Sequence, residues 1–89
     1  MKEMTTTIIN KLGLHARAAA QLVKTANQFQ SEIYLTARKQ RVNGKSIMGV
    51  LMLAAAKGCA LTLQADGPDE EQALQQIIQL IENKFGEDE

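Results

Sequence analysis

Glu32-Ile33-Tyr34-Leu35-Thr36-Ala37-Arg38-Lys39-Gln40-Arg41-Val42-Asn43 is the stretch that fixes the architecture. Ile33, Leu35 and Ala37 alternate with more polar neighbours, the period of a strand with one apolar face. Arg38-Lys39-Gln40 reads as a turn. Gln40 to Asn43 reads as a short edge strand whose charges oppose edge-to-edge pairing. A hairpin therefore lies near the middle of the chain. On its N-terminal side, Ala16 to Asn27 carries Ala19, Leu22, Val23 and Ala26 at helical spacing, and Ala16 and Ala18 to Ala20 add helix propensity. Before that helix, Met4 to Ile9 is β-branched and predicts a strand with Thr6 and Ile8 on one face, broken by Asn10-Lys11-Leu12-Gly13.

On the C-terminal side, Ser46 to Leu53, reaching towards Ala55, predicts a short helix with Ser46 as N-cap and Lys57-Gly58 as its stop. Cys59 to Ala65 alternates again, with Cys59, Leu61, Leu63 and Ala65 inward. Asp66-Gly67-Pro68 turns the chain, and Asp69 or a neighbour caps a last helix over Glu70 to Lys84. Its stripe is Leu74, Ile77, Ile78, Ile81 and Phe85. Its acidic first turn, Lys84 near its end and Gly86 beyond agree with the helix dipole.

The order β-α-β-β-α-β-α predicts an α+β fold: a four-stranded antiparallel sheet with three helices on one face, an open-faced β-sandwich. So few residues cannot cover both faces of the sheet. The 89 residues make one domain, 1–89, with the acidic tail 86–89 expected to fray. Such a chain buries only roughly 60–65% of its unfolded surface. With Phe29, Tyr34 and Phe85 as the aromatics, small and branched aliphatics must fill the core.

Ten Lys+Arg balance ten Asp+Glu. That balance argues against a nucleic-acid grip and against a basic membrane-surface module. A single cysteine, Cys59, excludes an internal disulfide and a multi-cysteine metal site, and a single histidine, His15, excludes His-pair metal motifs. No metal and no cofactor is expected. No apolar run approaches a membrane span and the N-terminus has no apolar signal region, so the expected location is the cytoplasm.

Gly13-Leu14-His15-Ala16-Arg17 is the one unusual constellation. A strand has ended, a glycine loosens the backbone, and a histidine stands where the first long helix begins. First-turn N–H groups lack helical partners, so the amides of Ala16, Arg17 and Ala18 form an anion site beside the imidazole. Arg17 adds a guanidinium fork. Neutral imidazole is a nucleophile at physiological pH, and a phosphoryl group on it would sit among these donors. No acid occurs between residues 10 and 31, so no neighbour is visible that could activate water. That suits a transient carrier better than a hydrolase. The bland alternative is that His15 is a passive cap and Arg17 a solvated helix residue.

The second constellation is Asn43-Gly44-Lys45-Ser46-Ile47-Met48-Gly49-Val50-Leu51-Met52-Leu53. Its apolar residues surround the helix. Ile47, Met48 and Leu51 share one side, and Val50 and Leu53 the other. If one side faces the core, the other is an exposed patch of the kind partners use; the plain alternative buries both. Ser46 is most simply a cap. As a phosphorylation site it would put charge beside the patch and weaken docking without unfolding the domain. Cys59 reads as a small core residue, Arg38 to Arg41 as a solvated turn, and Lys57-Gly58 as a helix stop.

Together, Gly13-Leu14-His15-Ala16-Arg17 with its alanine-rich helix, and Asn43 to Leu51, closely resemble the HPr family. These are the histidine-containing phosphocarriers of the bacterial phosphoenolpyruvate-dependent phosphotransferase system. Ala54 to Gly58 and the strand after it are also similar, and the resemblance spans essentially the whole chain. It implies that enzyme I, charged by phosphoenolpyruvate, passes a phosphoryl group to Nδ1 of His15. His15 then passes it to a histidine of an enzyme IIA domain, with Arg17 stabilising the group. It implies docking of both partners on Ile47, Met48 and Leu51, and phosphorylation of Ser46 by an HPr kinase/phosphorylase where one exists. A transcriptional regulator is expected as a further partner. A covalently modified carrier, not an autonomous enzyme, and a monomer are expected.

The family usually has proline after the arginine; here it is Ala18, which restores a donor and some backbone freedom. Two alternatives stay open: a carrier of the nitrogen-related branch, and a regulatory binding module in which His15 only caps.

Overall fold

The computed structural model describes residues 1 to 88. Four strands, β1 (Lys2–Thr7), β2 (Glu32–Ala37), β3 (Gln40–Asn43) and β4 (Ala60–Asp66), form one antiparallel sheet in the order β1-β4-β2-β3. Three helices, α1 (Ala16–Ala26), α2 (Ile47–Leu53) and α3 (Glu70–Glu82), pack on one face of it. The expected element order and open-faced α+β class therefore hold.

Register decides which side chains meet the helices. Leu35 pairs with Leu63 and Ile33 with Ala65, and all four are buried. On the other face Thr5, Thr62 and Thr36 fall in register across three strands and remain at least partly exposed. Alternation carries both outcomes, because successive side chains point to opposite faces. Ala18, Ala19, Leu22 and Ala26 of α1, Val50 and Leu53 of α2, and Leu74, Ile77 and Ile81 of α3 close the core. Small α1 residues allow α2 and α3 to approach closely.

β1 begins and ends two residues earlier than the β-branching suggests, and Ile8, beyond its end, is fully buried. The α2 stop is Ala54, in the left-handed region at φ 50°, not Lys57-Gly58. Arg38 and Lys39 both have positive φ (50° and 66°), the requirement of the tightest hairpin turns. Arg38 is not purely solvated: its guanidinium donates to the Leu53 carbonyl and lies 3.3 Å from Cys59 Sγ. Arg41 stacks over the Tyr34 ring at 3.9 Å.

Asp69 stands at the start of α3 but does not cap it with its side chain. Its carboxylate accepts from the Gln30 and Ser31 amides at 2.9 and 3.0 Å and from Ser31 Oγ at 2.5 Å, tying the α1–β2 turn to α3. The hydroxyl and amide donors hold this carboxyl below its ordinary 3.8, the Ser31 hydroxyl foremost. Glu70 instead reaches back to accept from the Gly67 amide at 3.1 Å.

α3 ends at Glu82, and the chain beyond it departs from the simple helix-then-tail expectation. Lys84, Phe85 and Gly86 are all left-handed, with φ of 55°, 54° and 76°. Left-handed backbone costs roughly 1–2 kcal/mol at each non-glycine residue. Burial of Phe85, only 2% exposed, offsets much of that. The bend redirects the chain, and Glu87 does not fray: its side chain is 13% exposed and hydrogen-bonded. Of the expected frayed tail, Glu89 lies outside the described residues.

Candidate functional site

Gly13 sets the position of the loop between β1 and α1. Its φ is +65°, and a Cβ there would lie 2.5 Å from the Ala55 carbonyl oxygen and 2.9 Å from Ala56 Cα. Only glycine tolerates both the angle and the approach. The Leu14 amide donates to that same Ala55 carbonyl at 2.8 Å, and the Leu14 side chain is buried. The loop is thus pinned to the segment that leaves α2, and the next residue is His15.

His15 is the N-cap of α1, extended at φ −74° and ψ 179°, and its carbonyl accepts from the Ala19 amide at 2.8 Å. The ring does not cap the helix with a side-chain hydrogen bond. Its side chain is 29% exposed. Nε2 lies 2.5 Å from Glu87 Oε2, and Nδ1 has no hydrogen bond among the described residues. An ionised carboxylate can only accept, so Nε2 carries the proton and Nδ1 the lone pair. The imidazole is therefore held by one nitrogen and presented by the other.

Glu87 is held twice. Its second oxygen accepts from Asn10 Nδ2 at 3.0 Å, and that amide also donates to the Gly13 carbonyl at 2.9 Å. Asn10 is fully buried, and its Oδ1 has no partner. The hydrogen bond from His15, then that from Asn10, keep the Glu87 carboxyl below its ordinary 4.5, with the charge of Arg17 adding to the effect. Lys11, Leu12, His15, Arg17, Glu87 and Asp88 line an open cleft of about 340 Å³. Ala16 and Arg17 are exposed, whereas Ala18 is fully buried. Of the three amides expected to meet an anion, that of Ala18 has no opening to solvent in this conformation.

On α2, Ser46 is the N-cap, and its Oγ accepts from the Gly49 amide at 3.1 Å. The preceding turn is tight: a Cβ at Gly44 would lie 2.7 Å from Ile33 Cγ2. Val50 and Leu53 face the core, and Ile47 and Met48 are exposed, as their spacing predicts. Leu51 is only half-buried against the core cluster. Met52 and Leu12 are also exposed, at 65% and 66%, and were not in the expected patch. Met52 could have been found from the all-round apolar character of α2, and Leu12 from its place in a turn too polar to bury it. Among the described residues no cluster of ligating side chains suited to a metal occurs. No helix is long and apolar enough to cross a membrane.

Residues 2–83 match the family model described as PTS HPr component phosphorylation site. The Neisseria meningitidis protein named Phosphocarrier protein HPr is 53% identical over 89 residues, covering all of both chains. The crystal structure of HPr-C-His from Thermoanaerobacter tengcongensis superposes with a TM-score of 0.97 at 48% identity, again over all of both chains. A structure of an HPr dimer from the same organism gives 0.79 at 49% identity, over 98% of this chain and 100% of that one.

Proposed function

The chain belongs to the HPr family of phosphotransferase-system components, and from that membership we propose that it carries a phosphoryl group on Nδ1 of His15. The group comes from phosphorylated enzyme I and goes to a histidine of an enzyme IIA domain. The observation that carries this reading is the free Nδ1 of a partly exposed ring at the start of α1, beside the exposed first-turn residues Ala16 and Arg17. Arg17 lines the same cleft and supplies a guanidinium to the transferring oxygens. Among the described residues the one carboxylate hydrogen-bonded to the ring, that of Glu87, is on Nε2 and not on Nδ1, which suits a group that must survive until the next partner arrives. The chain is then a covalently modified intermediate, not a catalyst with its own turnover.

Ile47, Met48 and Leu51 dock both partners in turn, joined by Met52 and Leu12. Their apolar, flexible side chains fit brief encounters with unlike surfaces. Ser46 is the site at which an HPr kinase/phosphorylase acts, and a transcriptional regulator reads the result. The carrier works as a monomer in the cytoplasm. Incubation with phosphoenolpyruvate and enzyme I tests the central claim. One acid-labile phosphate per chain is expected, absent from His15→Ala; equal labelling of that variant would move the site elsewhere.

A further inference from the structure

Glu87 is 72 residues from His15 in sequence, yet its carboxylate ends 2.5 Å from the ring. It gets there through three successive left-handed residues and through Phe85, which is seated in the core. It is met there by Asn10, a fully buried amide already fixed on the Gly13 carbonyl. Strained backbone, an apolar anchor and a buried receiving group all serve to put one charge on one ring nitrogen. A solvated tail needs none of them.

We infer that Glu87 is a positioning residue for phosphoryl transfer: by accepting from Nε2–H it turns the Nδ1 lone pair outward and stabilises the imidazolium that transfer creates. Asn10 fixes the carboxylate and so acts one step further back. The inference rests on the carrier reading of His15. In the step itself, the Nδ1 lone pair forms the new N–P bond as the N–P bond of the donor phosphohistidine breaks. The electron pair of that bond returns to the donor imidazole. His15 leaves the step with the phosphoryl group on Nδ1, its proton still on Nε2, and a positive ring. A carboxylate facing Nε2 strengthens its hydrogen bond as that charge develops, which is the differential interaction that lowers a barrier. Nδ1 and Nε2 lie on opposite sides of the ring, so Glu87 holds the imidazole without standing in the phosphoryl path.

The test compares the full-length protein with Glu87→Gln and Glu87→Ala, all shown to be folded by their amide spectra. Nitrogen-15 spectra of the His15 ring report which nitrogen bears the proton and whether that proton is protected from exchange. Wild type is expected to show a protected, strongly deshielded Nε2 proton, lost in Glu87→Ala. The rate of phosphorylation by enzyme I is expected to fall about tenfold in Glu87→Ala, the scale of one charge-assisted hydrogen bond. In Glu87→Gln, whose amide oxygen still accepts, the ring signal should persist and the rate should fall by less. Unchanged ring spectra and rates in both variants would overturn the inference while leaving the carrier reading intact. Faster transfer in Glu87→Gln would also overturn it, by making the carboxylate a competitor for the phosphoryl group. A wild-type protein that takes no phosphate but keeps the ring signal would overturn the carrier reading, and this role with it.

Discussion

At His15 the backbone and the side chain have separate tasks. The extended backbone starts α1 and hands its carbonyl to Ala19, which leaves the ring free of capping duty. The Glu87 contact carries its own pH dependence. The folded carboxyl is held below its ordinary 4.5, so the stability gained from docking it is fully present above that value. It is lost as pH falls through the lowered folded value. The Glu87 amide resonance is therefore expected to stay at its docked position at neutral pH and to move only below the ordinary carboxylate value. A midpoint at or above the ordinary value would contradict the docked geometry. His15 and Arg17 were legible in the sequence because one short loop and one helix start define both. Glu87 was not, because what brings it to the ring is a run of unusual backbone angles, and an acidic chain end reads as solvent-exposed whenever no nearby residue calls for it.

At the scale of elements, the loop before α1 and the cap of α2 matter most. Gly13→Ala would add a Cβ against the Ala55 carbonyl and force a non-glycine residue to φ +65°. A loss of about 2 kcal/mol or more is expected, measured by urea unfolding. Ser46→Ala removes the acceptor for the Gly49 amide and should cost about 1 kcal/mol in the same measurement. Ser46→Asp keeps an acceptor at the cap, so folding should persist. It also sets charge beside Ile47 and Met48, so the rate of His15 phosphorylation should drop; a folded variant with unchanged kinetics would remove α2 from the docking surface. β2, β3 and α1 could be bounded closely from sequence because strict alternation or alanine-rich periodicity defines them. The α2 stop was misplaced, since Ala54 adopts a left-handed cap that composition favours at glycine.

For the whole molecule, one sheet face carries the helices and the other stays polar, a division set by alternation in β2 and β4, while the side chains of the edge strands β1 and β3 are mostly exposed. His15, α2 and the chain end are brought together by two short ties: Leu14 to Ala55, and Glu87 to Asn10. Sedimentation at micromolar concentration should give one species near the 9.8 kDa of a single chain; a stable dimer would contradict the monomeric carrier. The bend at Lys84–Gly86 has a kinetic consequence. Phe85 stays seated in the apolar interior, whereas Glu87 is fastened only by polar contacts. Glu87 can therefore let go of the imidazole and return without melting α3. Such a swing belongs to the nanosecond-to-microsecond range of terminal motion, so an approaching protein would sample the ring both clasped and unclasped many times before it departs.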